Sequence, residues 1–382
     1  NNSVSGNPMF NDPDNDDYSI NPGSPARDAG SSTYAPSDDI SGSTRANGST
    51  TGAADDVGCY ENSCTVGTYY VDDGGSNSNN GSNGSPFATL KYAVSKVGCS
   101  GSTINVAAGN YSDENILVGS GLTIDGAGAT TIFDGDHTDR FMSIVGSNVT
   151  LSDMHVKEYA EPSGNSNTNG GGALRIGGIA DDVTTEFTTA YSNISISGVT
   201  FENNYCNASS GDGGAVEVVK TNSTSIVIAV DFTKCKFYSN KASTSSSSNS
   251  TYNGGAVKGD QGSDLSFTNC LFYENECAGN GAVLAMYNDG DADFINCTIA
   301  NNNIESQSGT GGGFYESSNS YTSLKNSIVW HNEASQISNI HQVYQISYSN
   351  IEDGSSDNEN IDSDPRFVDM YSGDYRLSNY SP

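Results

Sequence analysis

Between Asn169 and Asn332 two short phrases alternate strictly, and that alternation limits what the chain can fold into. One phrase reads GGAL from Gly171, GGAV from Gly213, GGAV from Gly254, NGAV from Asn280 and GGGF from Gly311. The other reads FENN from Phe201, FYSN from Phe237, FYEN from Phe272, IANN from Ile299 and VWHN from Val329. Successive glycine phrases lie 42, 41, 26 and 31 residues apart. A cycle of 26 residues is too short for a helical-hairpin repeat and carries no helical apolar period. It fits one coil of a parallel β-helix, whose short strands stack about 4.8 Å apart. The predicted fold class is therefore all-β, a single-stranded solenoid.

The columns within the phrases support that reading. The anchors Phe201, Phe237, Phe272, Ile299 and Val329 are each preceded, two residues earlier, by Val199, Cys235, Cys270, Cys297 and Ser327. A spacing of two places both columns on one strand face, which we read as the inner one. Three residues after the anchors stand Asn204, Asn240, Asn275, Asn302 and Asn332. Asparagine tolerates the left-handed backbone of a tight corner, and stacked amides can form a ladder from coil to coil. The glycines are assigned to another corner, where a Cβ would clash. Between each asparagine and the next glycine phrase lie 8, 13, 4 and 8 residues, so length variation is confined to one corner.

These phrases resemble the GGA-[ILV] and FxxN repeats of polymorphic membrane protein adhesins. The resemblance spans about 160 residues. It implies a right-handed parallel β-helix at a bacterial cell surface.

Upstream lies SPFATLKYAVSKVG. Ser85 as N-cap, Pro86 at the first helical position and Gly98 as the stop predict an amphipathic helix over 85–98. Its face of Leu90, Ala93, Val94 and Val97 would lid the first coil. The run YYVDDGG…SPFATLKYAV…INVAAGNY resembles the start of secreted bacterial β-helix proteins. Residues 1–62, with SPARDAG, DDISGSTRANG and DDVGCYE, resemble the choice-of-anchor Q module, which in its family closes a β-helix. The organisation that follows is a closing module or linker over 1–66, the β-helix over 67–348, and a last coil with the start of another closing module over 349–382.

The closing module stands first because the chain repeats itself. NPMFNDPDNDDYSINPGSP near the start returns as DPRFVDMYSGDYRLSNYSP at the end. Pro8, Phe10, Tyr18 and Pro25 meet Pro365, Phe367, Tyr375 and Pro382 at one offset, 365 − 8 = 357. The simplest reading is a serial array in which one unit's tail precedes the next unit's body; separate chains docking end to end are the second reading. Both make these eight residues inter-unit contacts and make copies of the chain its partners.

Composition narrows function. The net charge of −31 with only 15 Lys and Arg argues against nucleic acid or an anionic membrane as partner. No apolar run is long enough to span a bilayer. Asp12, Asp14, Asp16 and Asp17 could chelate Ca²⁺, although a solvated acidic turn is the preferred reading. Asp134, Asp136 and His137 in FDGDHTDR resemble an enzyme site, which would make the chain a polysaccharide lyase or hydrolase. No acids repeat on adjacent coils beside a basic residue as a pectate lyase would need, so a non-enzymatic role is preferred. Tyr238, Tyr273 and Trp330 follow the anchors and are expected to point outward, either as a glycan-stacking row of an adhesin or as stiffening of the sheet. Cys235, Cys270 and Cys297 read as buried thiols, and Cys59 with Cys64 as a disulfide suited to an oxidising exterior. The leading expectation is a structural repeat unit of an extracellular filament or giant surface protein.

Overall fold

The computed structural model describes residues 8–382 apart from 13–15, 22–23, 25, 28, 32, 46–54, 63–64, 120, 162–169, 178–190, 207–211, 220–226, 243–252, 306–310, 318, 333–336, 339–344 and 355. From Thr68 to Ile351 the chain winds into stacked coils, most of which lay one short strand on each of three parallel sheets of 10, 9 and 8 strands. One coil runs Ser263–Thr268, Leu271–Tyr273 and Leu284–Met286; the next runs Asp291–Ile295, Thr298–Ala300 and Phe314–Glu316. The pairings between coils are parallel, for example Phe237 with Phe272 and Phe272 with Ile299, and in register apart from a shift between Tyr191 and Ile194. Consecutive strands that never pair with one another, yet pair one coil away, define a parallel β-helix. A fourth sheet of two-residue strands, Tyr205–Cys206, Lys241–Ala242, Glu276–Cys277 and Asn303–Ile304, follows the asparagine corner.

The core is a set of like-on-like stacks. Phe201, Phe237 and Phe272 stack at 4.9 and 4.7 Å, and Phe232, Phe267 and Phe294 at 4.8 and 4.5 Å. Edge-to-face contacts such as Phe237 on Phe267 knit the two columns together. Cys235, Cys270 and Cys297 are buried and free. Each thiol reaches a main-chain carbonyl, Ile196, Phe232 or Phe267, of the preceding coil.

Asn204, Asn240, Asn275, Asn302 and Asn332 form one continuous buried ladder. The side-chain amides donate along it at 3.0, 3.0, 2.9 and 2.8 Å, each Nδ2 to the Oδ1 of the next coil. The same oxygens accept the main-chain N–H of the preceding asparagine, and each Nδ2 also donates to an anchor carbonyl of the coil before, as Asn275 does to Phe237. The left-handed corner, however, is not taken by these asparagines. The positive φ falls one residue earlier, on Asn203, Ser239, Glu274, Asn301 and His331. A mixed set of residues bears the strain because the ladder position must keep its amide aimed along the axis.

A third corner carries Gly171, Gly213, Gly254, Gly281 and Gly311, all at φ between 67° and 78°. This corrects one phrase: Gly281 occupies the left-handed position, so the repeat there reads GAVL from Gly281 rather than NGAV from Asn280. Leu284 accordingly pairs with Val257. Asn280 belongs to a second ladder. Asn253 donates its main-chain N and Nδ2 to Asp212 Oδ1 at 2.9 and 3.2 Å, and Asn280 repeats this on Asn253 Oδ1 at 3.1 and 3.0 Å.

The capping helix spans Leu90–Val97, with Gly98 after it and Leu90, Ala93 and Val94 buried. Its start differs from the expectation. Thr89, not Ser85, is the N-cap and accepts from the Tyr92 N–H at 3.3 Å. Pro86 cannot open the helix because Phe87 is held in extended pairing, its N–H donating to Tyr70 and its carbonyl accepting from Asp72. The buried Asp113 completes the start by accepting the Lys91 N–H at 2.7 Å. Burial pushes its carboxyl pKa up even so. Cys99 at the end of this helix is disulfide-bonded, whereas Cys59 is exposed and free. The Cys59–Cys64 bridge is therefore not formed; Cys64 itself lies outside the described residues.

Candidate interaction surface

The repeated phrase folds twice into the same hairpin. Near the start, Phe10–Asp12 pairs antiparallel with Asp17–Ile20, joining Phe10 to Ile20 and Asp12 to Asp17. At the end, Phe367–Asp369 pairs with Asp374–Leu377, joining Phe367 to Leu377 and Asp369 to Asp374. Each partner is displaced by 377 − 20 = 357, the offset of the echo itself. The aromatic clasp repeats too: Phe10 meets Tyr18 at 5.5 Å and 81°, and Phe367 meets Tyr375 at 5.2 Å and 81°. Even the left-handed residue before the first strand recurs, Met9 at φ 53° and Arg366 at φ 51°.

The two copies are seated differently. At the C-terminal hairpin the turn-proximal part lies on the outside of the 9-stranded sheet. Tyr375 packs on Tyr273 at 5.1 Å, and its hydroxyl accepts from Asn301 Nδ2 at 2.9 Å. Burial first, and the Glu274 and Tyr273 surroundings after it, push the Tyr375 phenol up to about 12, so it stays a neutral hydrogen-bonding group. The N-terminal hairpin is seated by its base instead. Asn62 donates to the Ile20 carbonyl at 2.7 Å, and Asn21 donates to the Leu117 carbonyl of the first coil at 3.3 Å. Tyr18 is 47 % exposed where Tyr375 is 7 %, and Leu377 is 51 % exposed where Ile20 is 4 %.

This arrangement revises the aromatic row. Tyr238 stacks on Tyr273 at 4.8 Å and 4°, but Tyr273 is covered in turn by Tyr375. Trp330 is only 9 % exposed, so it does not point freely to solvent. Pro8 accepts from the Ser24 hydroxyl at 2.6 Å, Pro365 is buried, Pro382 is exposed, and Pro25 lies outside the described residues. Of the acidic run, Asp14 is outside the described residues, Asp16 sits at the hairpin turn at φ 62°, and Asp17 accepts from the Ser19 N–H at 3.0 Å. Among the described residues no group of three or more His, Cys, Asp or Glu is arranged to hold a metal ion.

The FDGDHTDR turn does not gather its charges at one point. Asp134 binds Lys157 at 2.5 Å; burial works against its charge, but Lys157 and the Asp136 N–H together hold its carboxyl below the usual range. Arg140 is buried and donates to the carbonyls of Gly171 and Gly170, both at 2.9 Å. Asp136 and His137 occupy left-handed positions, and His137 lines an open groove of about 600 Å³ with Tyr205, Lys241, Glu274 and Glu276. Lys241 is tied there to Glu276 at 3.1 Å and Glu305 at 2.6 Å.

A charged column escaped the sequence reading. Arg175, Glu217 and Lys258 stand directly above one another on the 8-stranded sheet. Lys258 reaches Asp212 at 2.6 Å and Glu217 at 3.5 Å. Burial works against its charge, yet Asp212, Glu217 and Asp260 together raise its pKa above the ordinary lysine value. The signal was present in GGALR, GGAVE and GGAVK, where opposite charges follow each glycine phrase at one position.

No family model matches the chain, and no curated protein matches it. Solved structures similar to it include a rhamnogalacturonan lyase (16 % identity, TM-score 0.38, covering 70 % of this chain and 69 % of that one). A pectate lyase is similar at 13 % identity and TM-score 0.41, covering 84 % and 91 %. A pectin methylesterase from carrot is similar at 12 % identity and TM-score 0.35, covering 78 % and 91 %. Among the described residues no helix is long and apolar enough to cross a membrane.

Proposed function

We propose that this chain is a structural unit of an extracellular assembly in which β-helical rods follow one another end to end. One observation carries the reading. The same hairpin, with the same strand partners and the same Phe–Tyr clasp, stands on both sides of the solenoid at an offset of 357 residues. A heterologous, head-to-tail contact between such units extends along an axis wherever its rotation does not close into a ring. The interior is suited to such a role: amide ladders and ring stacks propagate from coil to coil, so stiffness is a sum of identical neighbour contacts. The covered positions of Tyr273 and Trp330 count against a glycan-stacking row on this face.

Native material decides the matter. Electron microscopy and intact-mass measurement should show rods with a regular axial repeat, or polypeptides whose size steps by whole units. A uniform population of single rods that makes no end-to-end contact at any concentration would overturn the proposal.

A further inference from the structure

We propose that the hairpin is a clamp with two seats, and that Tyr18 of the Phe10–Ile20 hairpin of one copy docks on the Tyr273–Asn301 surface of another. The inference rests on the end-to-end reading above and names its contact surface.

Each hairpin is seen half-seated, and the halves are complementary. In the C-terminal copy the turn-proximal Tyr375 is buried on Tyr273 and Asn301, while the base, Arg366 and Leu377, faces solvent. In the N-terminal copy Met9, Ile20 and Asn21 are buried, with Asn62 on the Ile20 carbonyl and Asn21 on the Leu117 carbonyl, while Tyr18, nearer the turn, is exposed and Phe10, opposite Ile20, keeps one ring edge open. The two seats lie at different ends of one small hairpin, so a single hairpin can occupy both at once. It then ties the outer sheet of one rod to the first coil of the next.

The N-terminal hairpin has the chemistry the Tyr273 seat requires. Tyr18 reproduces Tyr375, and its ring is held by Phe10 at the same 81° as Tyr375 is by Phe367. The turn also fits. A Cβ on Gly373 would lie 3.6 Å from the Tyr273 ring, an ordinary contact, and Asp16 at that position already adopts the left-handed backbone. Docking covers an exposed phenol and ring edge, gives the Tyr18 hydroxyl the Asn301 donor, and needs no rearrangement of the solenoid. Within a free chain the seat is held by its own Tyr375. Assembly from separate chains is therefore an exchange of one hairpin for its twin, while in a continuous array the two hairpins are the same element seen from neighbouring units.

The full chain carrying Tyr375→Ala tests this directly, because it loosens the resident hairpin and opens the seat. We expect light scattering to show concentration-dependent linear association at least tenfold stronger than in the unaltered chain. Adding Tyr18→Ala should return it to the unaltered level. Gly373→Val, which strains the left-handed turn of the C-terminal hairpin, should open the seat in the same way if the first variant proves hard to prepare. A folded Tyr375→Ala chain that stays as monomeric as the original overturns the clamp, as does association that Tyr18→Ala leaves unchanged. Either result leaves the end-to-end reading to be judged by the axial repeat of native rods.

Discussion

The solenoid and the segment that precedes it, residues 24–62, solve the problem of a poorly apolar chain in opposite ways. In the solenoid each contact is one of a series: what Asn240 does for Asn204, Asn275 does for Asn240. In the preceding segment each contact occurs once. Arg45 donates to the Gly58 carbonyl at 2.7 Å, to the Asp56 carbonyl at 3.3 Å and to Glu61 at 3.1 Å. Glu61 accepts the Asp56 N–H at 3.1 Å, and Asp56 accepts the Asn62 N–H at 2.6 Å. Asp39 gathers the N–H groups of Ser41, Ser43 and Glu61. A series spreads its stability over many equal rungs, while a web concentrates it on a few charged side chains. The asparagine ladder is neutral along its length; the web depends on ionisation.

Cutting a rung should have the largest effect. Asn275→Leu removes an oxygen that accepts from Asn240 N and Nδ2, and an amide that donates to Phe237 and Asn302. The partners left behind are fully buried, and at about 1–3 kcal/mol for each unsatisfied group the loss should reach about 3–5 kcal/mol. Denaturant unfolding followed by far-ultraviolet circular dichroism measures it. A loss below about 1 kcal/mol would mean that ladder bonds merely replace bonds to water, and the contrast with the web would dissolve.

Arg45→Leu should cost somewhat less and act in a different place. It strands the buried Glu61 carboxylate, whose pKa is already pushed up chiefly by burial. Breaking such a pair costs about 3 kcal/mol. Hydrogen exchange should show the amides of Asp56, Glu61 and Asn62 losing protection while amides of the asparagine ladder keep theirs. Equal loss in both regions would show that the two parts fold as one cooperative unit.

The same contrast explains what could be read in the sequence. Register, stacking partners and the buried rings followed from FxxN and the glycine phrases because a repeated residue marks a repeated contact. The 357-residue echo marked the two copies of the phrase as equivalent for the same reason, although that each is a hairpin emerged only from the strand pairing. The left-handed corner was misplaced by one residue because Asn203 and Asn204 are both asparagines and only the later one recurs in every coil. Ser85 looked like a cap, but strand pairing at Phe87 overrode a local preference. The Arg45 web, the Asp113 cap and the seat for Tyr375 could not be read, since each joins residues that are distant in sequence and occur only once. Tyr273 and Trp330 were assigned to solvent from strand alternation alone, which says which face a residue takes but not what later chain covers it.

The smallest expected effect sharpens the difference in ionisation. The Asp39 carboxyl is held down to about 2 from an ordinary 3.8, first by the Ser41 hydroxyl and then by the N–H groups of Glu61, Ser43 and Ser41. A depressed acid stabilises the folded state above its unfolded pKa, and that contribution drains away as pH falls through the folded value. The window for this segment is therefore about pH 4 down to pH 2, from the ordinary and folded values of Asp39. Because the carboxylate is near solvent, screening keeps the effect modest. Protection of the Ser41 and Ser43 amides, taken against the intrinsic exchange rate at each pH, should fall across that window, and Ser41→Ala should move its midpoint to higher pH. The asparagine ladder contains no titrating group, so its amides should hold through the same range. If they loosen in step with Ser41 and Ser43, the neutral series and the charged web are not independent sources of stability.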